Sequence, residues 1–254
     1  MKAVILVAGL GSRLGAITDD KPKCLTEVAG KEILTNTLEI LNDLGFSECC
    51  LVIGYKGAAI VNRYKSSFKK IKLTYVINEI YSSTSTSYSL LLGLTSSSRT
   101  TKEVFVFEGD VFFDKKILEE FLMLKVENST IVDVYNSQYD GSFVSLSADK
   151  RVEDWIHKSR RTADFTIEDK FKTVNIHKFS KTFVEQTLVP YLIDQCSKEG
   201  ANPPLEYIMQ DLILRERLVM HAYVLTGERW FEIDTPEELL IANAIFQDVS
   251  SCVV

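Results

Sequence analysis

The stretch MKAVILVAGLGSRLGAITDDKPKCL, residues 1–25, decides the fold of this chain. Lys2–Ala8 is an almost continuous apolar run, which is typical of a strand buried on both faces. The glycine-rich turn Gly9–Leu14 follows directly, and such a turn between a strand and a helix brings backbone N–H groups close to a phosphate. Leu14 replaces the third glycine of a dinucleotide-binding motif and the Walker pattern is absent, which disfavours both of those nucleotide sites. The guanidinium of Arg13 would suit a polyphosphate, although a tight turn with a surface arginine explains the loop equally well.

Strand-length apolar runs alternate with helix-period segments through the first half of the chain. Further strands are predicted at Glu48–Ile53, Leu73–Ile77 and Val104–Glu108, and the apolar spacing over residues 33–44 predicts a helix. This β-α-β order implies parallel strands with right-handed crossovers. The Ser- and Thr-rich segment Ser82–Thr101 is predicted to be an ordered loop followed by a helix from about Ser87 or Ser89, with a flexible linker as the alternative.

The second half changes character, because shorter strand patterns predominate. Strands are predicted at Thr130–Tyr135, Phe143–Leu146, Thr173–Phe179, His221–Leu225 and Trp230–Asp234, with a turn at Asp140-Gly141 and helices at Lys181–Cys196 and Tyr207–Glu216. We therefore predict one α/β domain over residues 1–254, with a Rossmann-like, mixed, mostly parallel sheet flanked by helices in three α/β/α layers. Residues 1 to about 125 would bind a nucleotide, and residues from about 126 to 254 would bind a second substrate.

The composition narrows the class of protein. The 254 residues include 46% hydrophobic and 25% charged residues, and the formal net charge of -6 argues against nucleic acid as the main partner. We expect no membrane association, because no apolar run approaches the roughly 20 residues that span a bilayer. Five scattered cysteines do not form a disulfide framework, and the three histidines lack zinc-type spacing. A reduced, cytoplasmic protein is expected.

Three further motifs carry charged groups that could act on a nucleotide. Lys23 follows Pro22, which fixes the local backbone, and a lysine held there could neutralise a reacting phosphate. Asp110 ends a buried strand, where ligands bind in open α/β sheets, and a carboxylate there could hold Mg²⁺. Period-2 alternation places Glu232 and Asp234 on one face of the last strand, as a second source of magnesium ligands. The alternatives are a solvated lysine loop, a turn aspartate and helix capping.

The combination of G-x-G-S-R-L with K-P-K-x-L after an apolar N-terminal strand resembles the sugar-phosphate nucleotidyltransferase superfamily, over residues 1–246. Within that superfamily, residues 1–34 are most similar to small cytidylyltransferases that act on phosphocholine or on phosphonates. The resemblance implies a GT-A-like fold. The catalytic residues that it implies are Arg13 and Lys23, and the Mg²⁺ ligands are Asp110, Glu232 and Asp234. It implies that the nucleotide is bound by Leu6, Ala8, Gly9, Gly11, Ser12, Arg13, Lys23, Gly54, Tyr55, Asn78, Ser85, Ser87, Ser89 and Glu108. The second substrate is assigned to Asp110, Asn175, His177, Glu206 and Tyr207.

Three departures from the family pattern concern single positions: valine at Val7, no asparagine near Ser85, and His177 in place of a tyrosine. The resulting hypothesis is a Mg²⁺- and CTP-dependent cytidylyltransferase that joins CMP to a small phosphorylated or phosphonylated acceptor and releases pyrophosphate. The alternatives are a sugar-1-phosphate uridylyl-, guanylyl- or thymidylyltransferase, and a catalytically inactive nucleotide-binding regulatory domain. The oligomeric state is not readable from the sequence.

Overall fold

The computed structural model of the chain describes residues 1–96, 102–136, 139–198 and 202–247. In the first half, the strands are β1 Lys2–Val7, β2 Glu27–Val28, β3 Lys31–Glu32, β4 Glu48–Ile53, β5 Ser67–Phe68, β6 Ile71–Ile77, β7 Glu103–Glu108 and β8 Val111–Phe113. The helices of this half are α1 Ile33–Asp43, α2 Gly57–Tyr64, α3 Thr86–Ser96 and α4 Lys115–Leu122. Residues 97–101, the end of the Ser- and Thr-rich segment, and Cys252 lie outside the described residues.

In the second half, the strands are β9 Ser129–Val134, β10 Phe143–Leu146, β11 Val152–Ile156, β12 Phe171–Ser180, β13 His221–Val224 and β14 Trp230–Glu232. The helices are α5 Lys181–Phe183, α6 Val189–Cys196, α7 Leu205–Leu214 and α8 Pro236–Phe246, and a π-helical turn at Val184–Leu188 joins α5 to α6. The longer predicted elements are confirmed to within about two residues at either end. The pattern of alternating apolar residues did not predict β11, because two acidic residues interrupt it.

Parallel pairing organises the first half of the chain as predicted. β1 pairs in parallel with β4 and β7, and β4 pairs in parallel with β6. The main sheet follows the order β11-β10-β12-β7-β1-β4-β6-β5, and β9 joins both β12 and β13. β12 runs antiparallel to β7 and thereby attaches strands of the second half to those of the first. The mixed, mostly parallel character of the central sheet is confirmed, whereas the extent of the domain stays a prediction.

Helices cover both faces of this sheet. Ile5 of β1 packs in a cluster with residues of α1, α2 and α4, while its neighbour Val4 packs in a second cluster with residues of α3, α6 and α7. Cys49 and Cys50 divide between the two clusters in the same way. Successive residues of a strand point to opposite faces, so nearly continuous apolar strands are needed to fill both layers. The flanking helix layers of the prediction are therefore confirmed.

Two local predictions require correction. The segment after the glycine loop is not an α-helix: Ser12–Thr18 forms 3-10 turns with a kink at Gly15, whose φ is 57° and ψ is -135°. The turn at Asp140-Gly141 does contain a left-handed glycine, with φ of 96° at Gly141. The strands on either side of it do not pair with each other; β9 and β10 both pair with β12.

A third apolar cluster lies beside the glycine loop. Leu14, Phe112, Phe231, Ile233 and Phe246 pack together with neighbouring residues, and this cluster joins α8 to the short β8–β14 ladder. It fixes the end of β14 close to the end of β7. Among the described residues, no helix is long and apolar enough to cross a membrane.

Candidate active site

Two adjoining cavities open where β1, β7 and β14 end. The first, of about 310 Å³, is lined by the glycine loop, Lys23 and the residues that follow β7. The second, of about 240 Å³, is lined by residues of the second half. We call them the loop cavity and the distal cavity. Five residues line both cavities, and they are Arg13, Thr86, Glu108, Asp110 and Asp234. Two ligands, one in each cavity, would therefore meet at these side chains.

The glycine loop is shaped to admit Lys23. Gly11 has φ of 63°, a left-handed conformation that favours glycine, and a Cβ atom at Gly11 would lie only 2.9 Å from Cβ of Lys23. Thr18 Oγ1 donates to the carbonyl oxygen of Gly11 at 3.1 Å and holds the loop closed. Pro22, with φ of -68°, leads into the short 3-10 turn that carries Lys23. The two sequence motifs are thus one packed unit.

Lys23 lies between two carboxylates that are far apart in sequence. Its Nζ atom donates to Asp110 Oδ2 at 2.9 Å and also to Asp234 Oδ1, and Arg13 Nη2 lies 2.8 Å from Asp234 Oδ2. Burial alone would lower the pKa of Lys23, but the charges of Asp110 and Asp234 outweigh it and hold the pKa above its ordinary value. Burial would raise the pKa of Asp234, but Lys23 and then Arg13 hold it below its ordinary value. Lys23 and Asp234 therefore each stabilise the charged form of the other.

A capping box and one backbone hydrogen bond fix Asp234. Glu238 Oε2 accepts from the backbone N–H groups of Asp234 at 2.7 Å and of Thr235 at 2.8 Å, and Thr235 Oγ1 accepts from the Glu238 N–H at 3.2 Å. The Ile233 N–H donates to the carbonyl oxygen of Asp110 at 2.9 Å. Helix capping and placement of Asp234 are thus two results of the same local sequence.

The two aspartates fit a hard cation better than the predicted set of three ligands does. Asp110 Oδ1 is buried and has no hydrogen-bond partner among the described residues, so it is a carboxylate oxygen available to a cation. No group of three or more Asp, Glu, His or Cys side chains converges as a metal site in the described part of the chain. Mg²⁺ commonly takes one or two carboxylates and completes its shell with substrate phosphates. Asp110 and Asp234 could therefore hold the ion together with a nucleotide.

Glu232 has other partners. Its Oε2 accepts from Lys172 Nζ at 2.8 Å and its Oε1 accepts from Asn175 Nδ2 at 3.2 Å. β14 ends at Glu232, so strand alternation no longer governs the direction of the Asp234 side chain. The prediction that both residues face one metal site is not supported by this geometry. Glu232 lines the distal cavity.

A bulge in β12 brings Asn175 to the distal cavity. Asn175 has φ of 62°, and the β12–β9 register shifts between Thr173 and His177. An extra residue in one strand bends it and can redirect a side chain. Asn175 accepts from Thr173 Oγ1 at 3.0 Å and donates to Glu232, so its amide bridges the strand and the cavity wall.

The structure does not bring His177 to either cavity. His177 is only 1% exposed, its Nδ1 lies 2.9 Å from Thr130 Oγ1, and its ring packs against Trp155 and Phe179. Burial lowers its pKa to about 3, so the imidazole is neutral. Asn175 leaves regular strand geometry with its left-handed backbone, whereas His177 pairs with Thr130 in the regular part of β12 and its ring faces the core. This placement does not support the assignment of His177 to a substrate.

The other predicted residues divide into two groups. Leu6, Gly9, Gly11, Ser12 and Glu108 line the loop cavity, and Glu206 lines the distal cavity. Those that line neither cavity are Ala8, Gly54, Tyr55, Asn78, Ser85, Ser87, Ser89 and Tyr207.

Several of the predicted residues that line neither cavity make contacts within the protein instead. Asn78 is 1% exposed and donates to Ser89 Oγ at 3.1 Å, and Ser87 donates to the carbonyl oxygen of Pro203 at 2.5 Å. Tyr207 packs under the guanidinium of Arg160, whose carbon lies 3.6 Å from the ring centre. Their nucleotide- or substrate-binding roles stay predictions.

Sequence reasoning missed most of the distal cavity. Its additional lining residues are Thr86, Tyr139, Asp140, Gly141, Ser142, His157, Lys158, Lys172, Trp230, Phe231 and Glu238. They come from loops, from the beginnings of α3, α8 and β12, and from β14. The signal that could have found some of them is a charged residue within an apolar strand, as with Lys172.

Glu108 and Glu206 place two carboxyl groups near the junction of the cavities. Burial, then the charges of Asp110, Glu206 and Glu232, raise the pKa of Glu108 well above its ordinary value. Glu206 accepts a hydrogen bond from Ser142 Oγ at 3.1 Å. Neither carboxylate forms an ion pair with a cationic side chain in the described ranges. A cationic ligand group bound near Glu206 would also favour the ionised form of Glu108, because an opposite charge offsets the neighbouring carboxylates.

The comparisons with known proteins agree with this arrangement. Residues 3–148 match the model of the MobA-like NTP transferase domain. The chain is 28% identical over 236 residues to a CMP-5'-(3-aminopropyl)phosphonate synthase of Streptomyces rubellomurinus, which covers 93% of this chain and 37% of that relative. It is 23% identical over 255 residues to a CTP:phosphoglutamine cytidylyltransferase of Campylobacter jejuni, covering 94% and 98% of the two chains.

A solved structure shows the same fold. The putative glucose-1-phosphate thymidylyltransferase of Bacillus anthracis superposes with a TM-score of 0.79 at 18% identity, over 98% of this chain and 96% of that chain. The resemblance to nucleotidyltransferases is confirmed by the family match and by the cytidylyltransferase relatives. The matched region of the family model contains the glycine loop, Lys23 and Asp110, and this chain therefore belongs to the MobA-like NTP transferase family of nucleotidyltransferases.

Proposed function

We propose that this chain transfers a cytidylyl group from CTP to a small phosphorylated or phosphonylated acceptor and releases pyrophosphate. The observation that carries the proposal is the meeting of two cavities at Arg13, Asp110 and Asp234, the two carboxylates being bridged by Lys23. A group-transfer enzyme needs its two substrates to share one reacting centre. CTP is proposed as the nucleotide because the relatives include a CMP-phosphonate synthase and a CTP:phosphoglutamine cytidylyltransferase.

The nucleotide would occupy the loop cavity. Backbone N–H groups of Gly9–Arg13 and the exposed guanidinium of Arg13 would bind its phosphates. Lys23 would move from its two carboxylates to the α-phosphate, where its positive charge offsets the charge that develops during transfer. A divalent cation, proposed to be Mg²⁺ on Asp110 and Asp234, would supply further charge neutralisation at the same phosphates.

The acceptor would occupy the distal cavity. Its phosphate or phosphonate oxygen attacks the α-phosphorus, a new P–O bond forms, and the bond to the β-phosphate oxygen breaks, so that pyrophosphate leaves with the electron pair. This oxygen is already ionised near neutral pH, so no general base is required. The residues of the chain therefore act by positioning and by charge neutralisation. An ammonium group on the acceptor would suit the carboxylates of Glu206 and Glu108.

A second candidate is transfer to a sugar 1-phosphate, which the structural likeness to a thymidylyltransferase favours. An inactive regulatory domain is less consistent with the site, because Lys23, Asp110 and Asp234 are all present and in contact.

The test is a substrate panel with pyrophosphate release as the readout. CTP, UTP, GTP and dTTP are each combined with Mg²⁺ and with phosphoethanolamine, 2-aminoethylphosphonate or glucose 1-phosphate. We expect release with CTP and an aminoalkyl acceptor. Release only with UTP or dTTP and the sugar phosphate would establish the second candidate, and release with no combination would contradict both.

A further inference from the structure

The distal cavity contains an ammonium group that belongs to the protein itself. Lys172 is only 2% exposed, yet it begins a region of β12 that lines this cavity. Its Nζ atom donates to Glu232 Oε2 at 2.8 Å and to the carbonyl oxygen of Thr173 at 2.9 Å. The same atom lies 5.8 Å from the centre of the Trp230 ring. A carboxylate and an aromatic ring thus bind one buried cation.

This arrangement is the one that recognises organic cations in general. An indole ring attracts a cation within about 6 Å of its centre, and quaternary ammonium groups are commonly bound by aromatic side chains. Here Lys172 already occupies the position. Because an unpaired carboxylate in a buried site is strongly destabilising, Glu232 cannot release Lys172 without acquiring another cation.

The surrounding residues hold this pair in place. Trp230 Nε1 donates to Asp133 Oδ2 at 2.8 Å, and the ring of Tyr139 packs on Trp230 with 5.0 Å between centroids. A Cβ atom added to Gly141 would lie 3.3 Å from Lys172 Nζ and 3.9 Å from Glu232 Oε2, so the loop closes tightly over the ion pair. The space next to Trp230 and Glu232 is therefore filled.

Glu206 is another carboxylate that lines the distal cavity. It accepts one hydrogen bond, from Ser142 Oγ, and it has no ion pair within the described residues. A primary ammonium group has three N–H donors and can bond directly to such a carboxylate, whereas a trimethylammonium group has none. A carboxylate with free acceptor positions thus selects the primary amine.

We propose that Lys172 is a specificity-determining residue: by occupying the Trp230–Glu232 site it excludes quaternary ammonium acceptors, and it directs primary-amine acceptors to Glu206. This inference rests on the proposed cytidylyl transfer. It assigns Glu232 to acceptor selection and leaves the metal to Asp110 and Asp234.

The test compares two matched pairs of acceptors with CTP: phosphoethanolamine with phosphocholine, and 2-aminoethylphosphonate with its N-trimethyl analogue. For the wild-type protein we expect kcat/KM to favour the primary amine by at least about tenfold in whichever pair is used, because a cation–π and ion-pair site is worth roughly 1–2 kcal/mol. In Lys172→Met, the ratio should shift by about tenfold or more toward the quaternary amine, while KM for CTP stays within about twofold. Lys170→Met is the control, since Lys170 pairs with Asp169 outside both cavities and should leave the ratio unchanged.

Equal use of both amines by the wild-type protein would overturn the role of Lys172 and leave the proposed function intact. So would an unchanged ratio in a Lys172→Met protein with a wild-type circular dichroism spectrum. If that variant does not fold, the ratio of kcat/KM values for the two amines in the wild-type protein remains the test. If none of the four acceptors gives pyrophosphate release, the result contradicts the proposed function and with it this inference.

Discussion

Replacing Lys23 with methionine should affect catalysis and metal binding in opposite directions. The side chain of Lys23 is 13% exposed, and its partners Asp110 and Asp234 are 20% and 16% exposed. Methionine keeps most of the length of the chain and removes the charge. Arg13 remains beside Asp234, but its side chain is 60% exposed and reaches only one of the two carboxylates.

The expected loss of turnover is about 100-fold to 1000-fold. That is the usual effect of removing one preorganised group that stabilises charge in the transition state, roughly 3–4 kcal/mol. The nucleotide-free protein should instead bind a divalent cation more tightly, because Lys23 no longer competes for Asp110 and Asp234. A unit charge at ~4 Å interacts by about 4 kcal/mol at an effective dielectric constant of 20. Allowing for solvent screening at this partly exposed site, we expect at least a tenfold gain, about 1.4 kcal/mol.

Both effects can be measured on the same preparation. Turnover is followed as pyrophosphate release at saturating CTP, and metal binding is followed by Mn²⁺ titration with electron paramagnetic resonance in the absence of nucleotide. Lys21→Met is the matched control, since Lys21 belongs to the same motif but lines neither cavity. Turnover within about tenfold of wild type, or weaker Mn²⁺ binding than wild type in a folded variant, would refute the reasoning.

Three other predictions concern residues that support the site. Burial lowers the pKa of His177 to about 3 from 6.5, so the unfolded chain binds a proton that the native state does not, and stability falls as pH decreases below about 6.5. From this one group we expect the free energy of unfolding to fall by about 2 kcal/mol between pH ~7.5 and ~5. In urea denaturation, the free energy of unfolding of His177→Gln should therefore depend less on pH than that of the wild-type protein. The same pH dependence in both proteins would contradict this prediction. Gly109→Ala places a Cβ atom 2.3 Å from Val7 Cγ1 and should destabilise the fold by roughly 1–3 kcal/mol, seen as a lower Tm, whereas an unchanged Tm would show that the contact relaxes freely. Thr235→Ala removes the helix cap and should lower the free energy of unfolding in denaturant by about 1 kcal/mol. It should also lower kcat, because the cap positions the neighbouring Asp234. A wild-type kcat in this variant would show that the cap does not affect catalysis.

The sequence by itself determined the parallel strands of the first half and much of the loop cavity. Apolar runs long enough for a strand, the turn at Gly9–Leu14 and the capping pattern after Asp234 are local features, and local features are encoded within a few residues. Lys23 and Asp110 could be selected because each follows a short, recognisable motif. The exact form of the segment after the glycine loop was missed, since Gly15 breaks the expected helix.

Only the tertiary structure shows which residues form the distal cavity. Lys172 and Glu232 are 60 residues apart and meet because β12 and β14 approach each other, which no local pattern records. Asn175 reaches the cavity from an irregular position of β12 with φ of 62°, whereas His177 pairs regularly with Thr130 and lies in the core. Such an irregularity depends on the strands that pair with β12, so alternation along a single strand does not predict it. For this reason the sequence pointed to a phosphate site, whereas the fold determined which side chains line the distal cavity.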